Sequence, residues 1–191
     1  YARLRPDILL VLGDRFEMHA AALAALPFKI PIAHIHGGEI TEGAIDDALR
    51  HSITKLSHLH FVSTEEYQRR VLQLGEEAWR VEVTGAPGLD NLRSITLLSQ
   101  EELRVQFGLR LDGPTLLVTY HPVTLEYEQT DYQVQELLAA LRKSGLQVIF
   151  TIPNADTAGR GITDSLRQFV RDWEPAQIVD NLGTQGYFSL M

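Results

Sequence analysis

Short apolar runs rich in β-branched residues alternate along this chain with segments of helical periodicity, and this alternation restricts the fold more than any other feature. One run precedes Gly-Asp-Arg at residues 13–15, and the next precedes His-Ile-His-Gly-Gly-Glu at residues 34–39. Such runs between helices are typical of buried parallel strands. Strict alternation of strand and helix predicts an α/β chain with parallel sheets and right-handed crossovers.

The predicted elements divide into two βα series. We predict strands near residues 7–12, 30–36, 59–63, 80–84, 115–120, 146–152 and 177–180, and helices over 16–26, 44–57, 64–74, 88–97, 99–107, 130–144 and 162–171. Two helical segments follow one another before residue 108, and the run Leu111-Asp112-Gly113-Pro114 then precedes a new strand. We therefore expect a domain boundary here, with residues 1–110 in one domain and 111–191 in the next.

Composition excludes several classes of protein. The 191 residues are 45% hydrophobic, enough for a sizeable core, and the net charge of -8 argues against a nucleic-acid partner. The chain has no cysteine, which excludes disulfides and cysteine-ligated metals. No apolar stretch approaches the ~20 residues that span a bilayer, and without a visible secretory signal we expect a cytoplasmic location. A start without Met and an end within a helical pattern predict a fragment of a longer protein.

The first candidate residues follow the first predicted strand directly, where open α/β sheets bind ligands. Gly13 permits a tight turn, the Asp14 carboxylate can act as a base, and the Arg15 guanidinium can hold a phosphate. The alternative is an ion pair between Asp14 and Arg15 within the loop.

The end of the second strand carries three further polar groups, His34, His36 and Glu39. Because side chains alternate along a strand, His34 and His36 are predicted on one face, a spacing that suits zinc or iron with a nearby carboxylate. The other interpretation is a core histidine beside a loop acid.

Three further segments carry polar groups of interest. Asp46 lies in the first turn of a predicted helix, where carboxylates favour the helix dipole, and its i,i+4 spacing to Arg50 predicts a contact on the helix face. His121 ends the first strand of the second series, and Asn154 and Asp156 follow the next strand. Neighbouring strand ends that carry these residues predict a ligand rim.

Taken in order, the motifs resemble the hydrolysing UDP-N-acetylglucosamine 2-epimerases of sialic-acid and legionaminic-acid biosynthesis. The resemblance covers nearly the whole chain and rests on residues 13–16, 34–39, 45–47 with 50–56, 85–87 with 90, 121–124 and 153–156. It implies two Rossmann-like domains that face a cleft, the GT-B arrangement, both incomplete in this chain. It also implies a UDP-sugar substrate, no cofactor or metal, and a homo-oligomer, dimer or tetramer, of the full-length protein.

The family's reaction is an anti-elimination of UDP with loss of the C2 proton, followed by addition of water to the glycal. The products are UDP and N-acetylmannosamine or a 2,4-diacetamido-6-deoxy analogue. The resemblance implies that Asp14 and Asp46 are the carboxylates on the sugar and that Arg15 contacts the sugar or a phosphate. It assigns the following residues to the nucleotide and leaving group: His121, which assists departure of UDP, and Asn154 and Asp156, which bind the substrate.

One departure from the family concerns His36, where many members have a catalytic glutamate. The third acid/base role therefore belongs to either His36 or Glu39, and the histidine signals the diacetamido substrate. Two other functions stay open at this point. One is a metal-dependent hydrolase that uses His34 and His36, and the other is a non-catalytic nucleotide-sugar-binding domain.

Overall fold

The computed structural model describes residues 1–152 and 159–191, which form two compact α/β units, Tyr1–Asp90 and Asn91–Met191. Every predicted strand is present, and each unit contains one parallel sheet. The predicted α/β class with two Rossmann-like parallel sheets is therefore confirmed. No helix in these two described ranges is long and apolar enough to cross a membrane.

The sheet of the first unit follows the order of the chain, β1-β2-β3-β4, and all its pairings are parallel. Its strands are β1 (Leu9–Leu12), β2 (Ile32–Ile35), β3 (Leu59–Val62) and β4 (Val81–Val83). The accompanying helices are α1 (Phe16–Ala25), α2 (Asp46–Leu56) and α3 (Glu65–Gln73), and α4 (Asp90–Ser94) begins at the last residue of this unit and continues into the next. Short 3-10 turns cover Leu26–Phe28, Ala78–Arg80 and Pro87–Leu89.

Only one face of β1 is buried. Val11 packs with Ile32 and with the α1 and α2 residues Ala22 and Ile53, whereas Leu10 is 61% exposed. The expectation that this run is buried throughout is wrong, because among the described strands β1 pairs only with β2, and helices cover one of its faces. The neighbouring strand β2 is buried as expected.

The second unit has the sheet order β5-β6-β7, again with parallel pairing. Its strands are β5 (Thr115–Thr119), β6 (Gln147–Thr151) and β7 (Ala176–Val179). Its helices are α5 (Gln100–Phe107), α6 (Thr130–Ser144), α7 (Gly159–Asp172) and α8 (Gly183–Leu190), with a 3-10 segment at Thr124–Gln129. Phe150 of β6 lies at the centre of a core that also contains Leu138 and Leu166.

Helix α5 packs within the second unit. The helix is predicted over residues 99–107; a capping box between Ser99 and Glu102 begins it, and Gly108 ends it in a left-handed conformation. Its Leu103 shares a buried cluster with Ile149 of β6. Residues 91–110 thus make their contacts with the second unit. The domain boundary between residues 110 and 111 stays a prediction.

Parallel pairing determines where the polar loops lie. The carboxyl ends of β1, β2 and β3 share one edge of the first sheet, since Leu12 pairs with Ile35 and Ile35 with Phe61. The loops that begin at Gly13, His36 and Ser63 therefore leave the sheet at the same edge.

Candidate active site

The turn after β1 places the first candidate carboxylate at this edge. Gly13 has a φ of 77°, a left-handed conformation that costs glycine little. Its N–H donates to the Ile35 carbonyl of the next strand over 2.9 Å. Asp14 follows at once, and its carboxylate forms an ion pair with Arg50 of α2. The turn is therefore fixed from two sides, by the neighbouring strand and by the helix.

Arg50 connects the loops that follow β1 and β2. Its side chain is only 4% exposed, and it donates to the Asp14 carboxylate, to Asp47 Oδ1 at 2.8 Å and to Thr41 Oγ1 at 2.9 Å. It also donates to the Glu39 carbonyl at 2.9 Å. The planar fork of guanidinium donors allows one side chain to fix several groups at once.

His36 and Glu39 form a close pair in the loop after β2. His36 Nδ1 lies 2.6 Å from Glu39 Oε1, and the Ser63 hydroxyl donates to the same carboxylate oxygen over 2.5 Å. The side chains of His36 and Glu39 are 24% and 27% exposed, so both reach solvent. An imidazole and a carboxylate in this arrangement can exchange protons with a bound molecule.

His34 is the buried histidine of the pair predicted on β2. Its Nε2 lies 2.8 Å from the Gly13 carbonyl and its Nδ1 lies 3.2 Å from the Thr54 hydroxyl. Since a carbonyl only accepts, Nε2 carries the hydrogen. Burial lowers the pKa of His34 to about 4, against the Gly13 hydrogen bond, which raises it. His34 is therefore a neutral ring that holds the turn before Asp14.

The two histidines of the predicted metal site, His34 and His36, form hydrogen bonds with different groups. Strand β2 ends at Ile35, and His36 then takes a φ of 67°, so the predicted common strand face of His34 and His36 is wrong. Within residues 1–152 and 159–191 no three histidine, aspartate or glutamate side chains come together as a metal site. These contacts do not favour the metal-dependent hydrolase.

Asp46 lies in the first turn of α2 and is partly exposed. The predicted contact between Asp46 and Arg50 is wrong, because Arg50 turns toward Asp14 and Asp47 instead. In the part of the chain that the structure describes, the Asp46 carboxylate takes part in no ion pair. It is thus available to a ligand, next to a network whose other carboxylates are engaged.

The remaining candidates are Arg15, His121, Asn154 and Asp156. Arg15 is exposed and contacts Glu17 of its own helix at 3.3 Å, so the alternative of an Asp14–Arg15 ion pair is wrong. His121 is exposed after β5, in the second unit. Asn154 and Asp156 lie outside the described residues.

Arg50, Thr54 and Ser63 are site residues that the sequence reasoning did not select for these roles. A signal existed for the first two, since Arg50, Ile53 and Thr54 follow helical spacing and are the buried residues of α2. Ser63 carried no signal beyond its position directly after β3.

Comparison with known proteins agrees with the motifs. The model of the family described as UDP-N-acetylglucosamine 2-epimerase matches residues 1–191. The chain is 43% identical over 190 residues to a GDP/UDP-N,N'-diacetylbacillosamine 2-epimerase (hydrolyzing) of Campylobacter jejuni, covering 98% of this chain and 50% of that protein. It is 38% identical over 177 residues to a UDP-N,N'-diacetylbacillosamine 2-epimerase (hydrolyzing) of Legionella pneumophila. That match covers 93% of this chain and 46% of the Legionella protein.

The fold also matches solved structures. The crystal structure of UDP-GlcNAc 2-epimerase from Neisseria meningitidis bound to UDP-GlcNAc superposes with a TM-score of 0.74 at 23% identity, covering 99% of this chain and 52% of that one. At this identity the likeness shows the fold. The chain spans about half the length of the relatives that it matches.

Proposed function

The chain belongs to the UDP-N-acetylglucosamine 2-epimerase family, and on this basis we propose that the full-length protein is a hydrolysing UDP-sugar 2-epimerase. One observation carries the proposal beyond family membership. Asp14 and the His36–Glu39 pair follow neighbouring strands at one sheet edge, and buried Arg50 contacts both loops. Ionisable groups held in fixed positions at the carboxyl edge of a parallel sheet suit acid/base chemistry on a bound ligand.

The proposed reaction needs such groups in both of its steps. In the elimination, a base takes the C2 proton and the C1–O bond breaks, with its electron pair leaving on the β-phosphate of UDP. In the addition, the hydroxyl of water joins C1 of the glycal and a proton returns to C2 on the opposite face. The net change is hydrolysis of the UDP-sugar with inversion at C2.

We assign the role of the base in the elimination to the carboxylates of Asp14 and Asp46. Asp14 is fixed by Arg50, so its carboxylate stays in one orientation, whereas Asp46 is not engaged by that guanidinium. His36 or Glu39 supplies the further acid/base group, because both side chains reach solvent beside the same loops.

We assign the nucleotide to other residues. Arg15 is exposed at the start of α1, where a guanidinium can hold a phosphate or the sugar. His121 is exposed after β5 and suits a contact with the diphosphate. Asn154 and Asp156 complete the proposed set by their position in the family's motif.

A UDP-2,4-diacetamido sugar is the proposed substrate. The Campylobacter and Legionella relatives are both named for UDP-N,N'-diacetylbacillosamine. The cytoplasmic location and the homo-oligomer, dimer or tetramer, expected from the sequence stay predictions.

The test uses the full-length protein in deuterium oxide with either UDP-N,N'-diacetylbacillosamine or UDP-N-acetylglucosamine. We expect release of UDP and a free sugar inverted at C2 that carries deuterium there, since the C2 proton is lost and then replaced from solvent. Proton NMR follows both the configuration and the isotope. Free sugar that retains its C2 proton would contradict the elimination, and binding without turnover would favour the non-catalytic domain.

A further inference from the structure

The loop after β2 holds His36 in an unusual backbone conformation. Its φ of 67° lies in the left-handed region, which is strained for a residue other than glycine. The His36 N–H donates to the Phe61 carbonyl over 3.1 Å, and Arg70 of α3 donates to the Gly38 carbonyl. Contacts on both sides of the loop therefore maintain the strained residue. Strain that a fold maintains in this way is commonly found where a side chain must be presented for function.

The contacts of Glu39 specify how the His36 ring is used. Glu39 Oε1 receives the Ser63 hydroxyl hydrogen over 2.5 Å and lies 2.6 Å from His36 Nδ1. A carboxylate oxygen that accepts from two donors requires the hydrogen to be on Nδ1. The second nitrogen of the ring, Nε2, is then the one that takes up and releases a proton.

The charged groups around the ring come from several elements. Glu39 faces it from the same loop, Arg50 of α2 holds the Glu39 carbonyl and the Asp14 carboxylate, and Arg70 of α3 holds the loop at Gly38. These contacts hold the loop, and with it the His36 ring, in a fixed position.

We infer that Ser63, Glu39 and His36 form a chain of hydrogen bonds in which His36 Nε2 exchanges the proton with the sugar, while Glu39 and Ser63 position the ring. This inference rests on the proposed function. In the elimination a carboxylate takes the C2 proton and UDP leaves. In the addition the protonated ring gives its Nε2 proton to C2 as the hydroxyl of water joins C1. The other proton of that water and the one held by the carboxylate pass to solvent, from which the ring takes up its next proton. His36 is then a catalytic residue, and Glu39 and Ser63 are positioning residues.

The first test reads the proton position without turnover. In the full-length protein labelled with ¹⁵N-histidine, we expect the neutral His36 ring to carry its hydrogen on Nδ1, and Glu39→Gln to lower the share of this tautomer. A neutral ring with its hydrogen on Nε2 in the unmodified protein would overturn the inference, whatever the enzyme does. Because this readout needs no substrate, it is independent of the proposed function.

The second test is chemical rescue. His36→Gly suits the left-handed backbone and removes the ring, so we expect turnover to fall about 10²–10⁴-fold and to recover in part with added imidazole. Glu39→Gln should lose less activity than His36→Gly, and Ser63→Ala should lose less than Glu39→Gln. Added imidazole should not restore the activity of either variant. Asp14→Asn is the matched control, since imidazole cannot replace a carboxylate.

His36→Glu gives a third measurement, because it restores the residue that many family members have. We expect it to keep part of the activity, with its pH profile moved toward acid, since glutamate titrates at lower pH than histidine. If Glu39→Gln is as inactive as His36→Gly and imidazole restores neither, the proton-transferring group is Glu39 and the inference is wrong. If the unmodified enzyme turns over no UDP-sugar, the proposed function fails instead.

Discussion

Arg50 and Asp14, which lie 36 positions apart in the chain, form an ion pair between a buried guanidinium and a partly exposed carboxylate. The pair connects α2 to the turn after β1, and the same guanidinium holds the Glu39 carbonyl. The Arg50 side chain thus binds both the Asp14 carboxylate and the loop that carries the His36–Glu39 pair.

Replacing either partner of this pair should change both stability and activity. We expect Arg50→Met to lower the free energy of unfolding by about 1–3 kcal/mol, because it leaves the partly exposed Asp14 and Asp47 carboxylates without their donor. Asp14→Asn keeps an acceptor oxygen and should cost about 1–3 kcal/mol, while turnover falls about 10²–10⁴-fold. Urea unfolding and steady-state kinetics of the full-length protein give the two quantities.

The double variant Asp14→Asn/Arg50→Met isolates the interaction between them. We expect it to be less destabilised than the sum of the two single variants, because the single Arg50→Met already leaves the carboxylate unpaired. Additive losses would show that the two residues do not stabilise each other.

Acid should destabilise the first unit through its buried histidines. Burial lowers the pKa of His34 from 6.5 to about 4, so between these values the unfolded chain binds more protons than the folded one. The contribution of neutral His34 to the free energy of unfolding is therefore fully present above pH 6.5. It is lost as the pH falls toward 4, by about 3 kcal/mol for this one residue. Burial lowers the pKa of His60 as well, which adds a loss of the same sign.

The comparison with His34→Gln tests this assignment. Glutamine can still donate to the Gly13 carbonyl but does not titrate, so the variant's urea midpoint should vary less between pH 7 and pH 4. Equal pH dependence in the two proteins would assign the acid loss to other groups.

Two glycines with nearly the same backbone conformation should respond differently to alanine. Gly13 and Gly38 have φ values of 77° and 78°, but a Cβ at Gly13 meets nothing within 4 Å, whereas one at Gly38 lies 2.5 Å from the Tyr67 carbonyl oxygen. Gly13→Ala should cost about 1–2 kcal/mol from backbone strain alone. Gly38→Ala should cost clearly more, since the loop must move away from α3; equal urea midpoints would contradict this.

His121→Ala should weaken the binding of UDP without loss of stability. The side chain is exposed after β5, so its removal leaves no cavity in the core. Calorimetric titration of the full-length protein with UDP measures the affinity. Tyr132→Ala, which removes an exposed ring of α6, is the control and should bind UDP like the unmodified protein. Unchanged affinity in His121→Ala would exclude a role in the nucleotide site.

The strands and long helices could be predicted because their signals are local. Apolar runs, the capping box at Ser99 and the glycines that end α5 and α6 depend on nearby residues alone. The exposure of Leu10 could not be predicted in this way, since it depends on which faces of β1 the helices cover. Helix α8 had only an amphipathic beginning as its signal.

The candidate site could be predicted as a set of positions but not as a set of contacts. Parallel strands bring their carboxyl ends together, which is why Asp14 and His36 could be chosen from strand ends. Arg50 has several carboxylates within reach, and only the three-dimensional structure selects Asp14 and Asp47 over Asp46. The contact with the buried guanidinium is the ground on which we expect Asp14→Asn to cost stability, and the sequence alone does not predict that contact.

The sheet order β1-β2-β3-β4 has a consequence for synthesis on the ribosome. Each strand pairs with its predecessor in the chain, and the residues from Gly13 to Ser63 contain the whole Arg50 and His36 network. Domains generally fold as units while the chain emerges from the ribosome. The nascent chain can therefore form this network before the strands of the second unit have been translated.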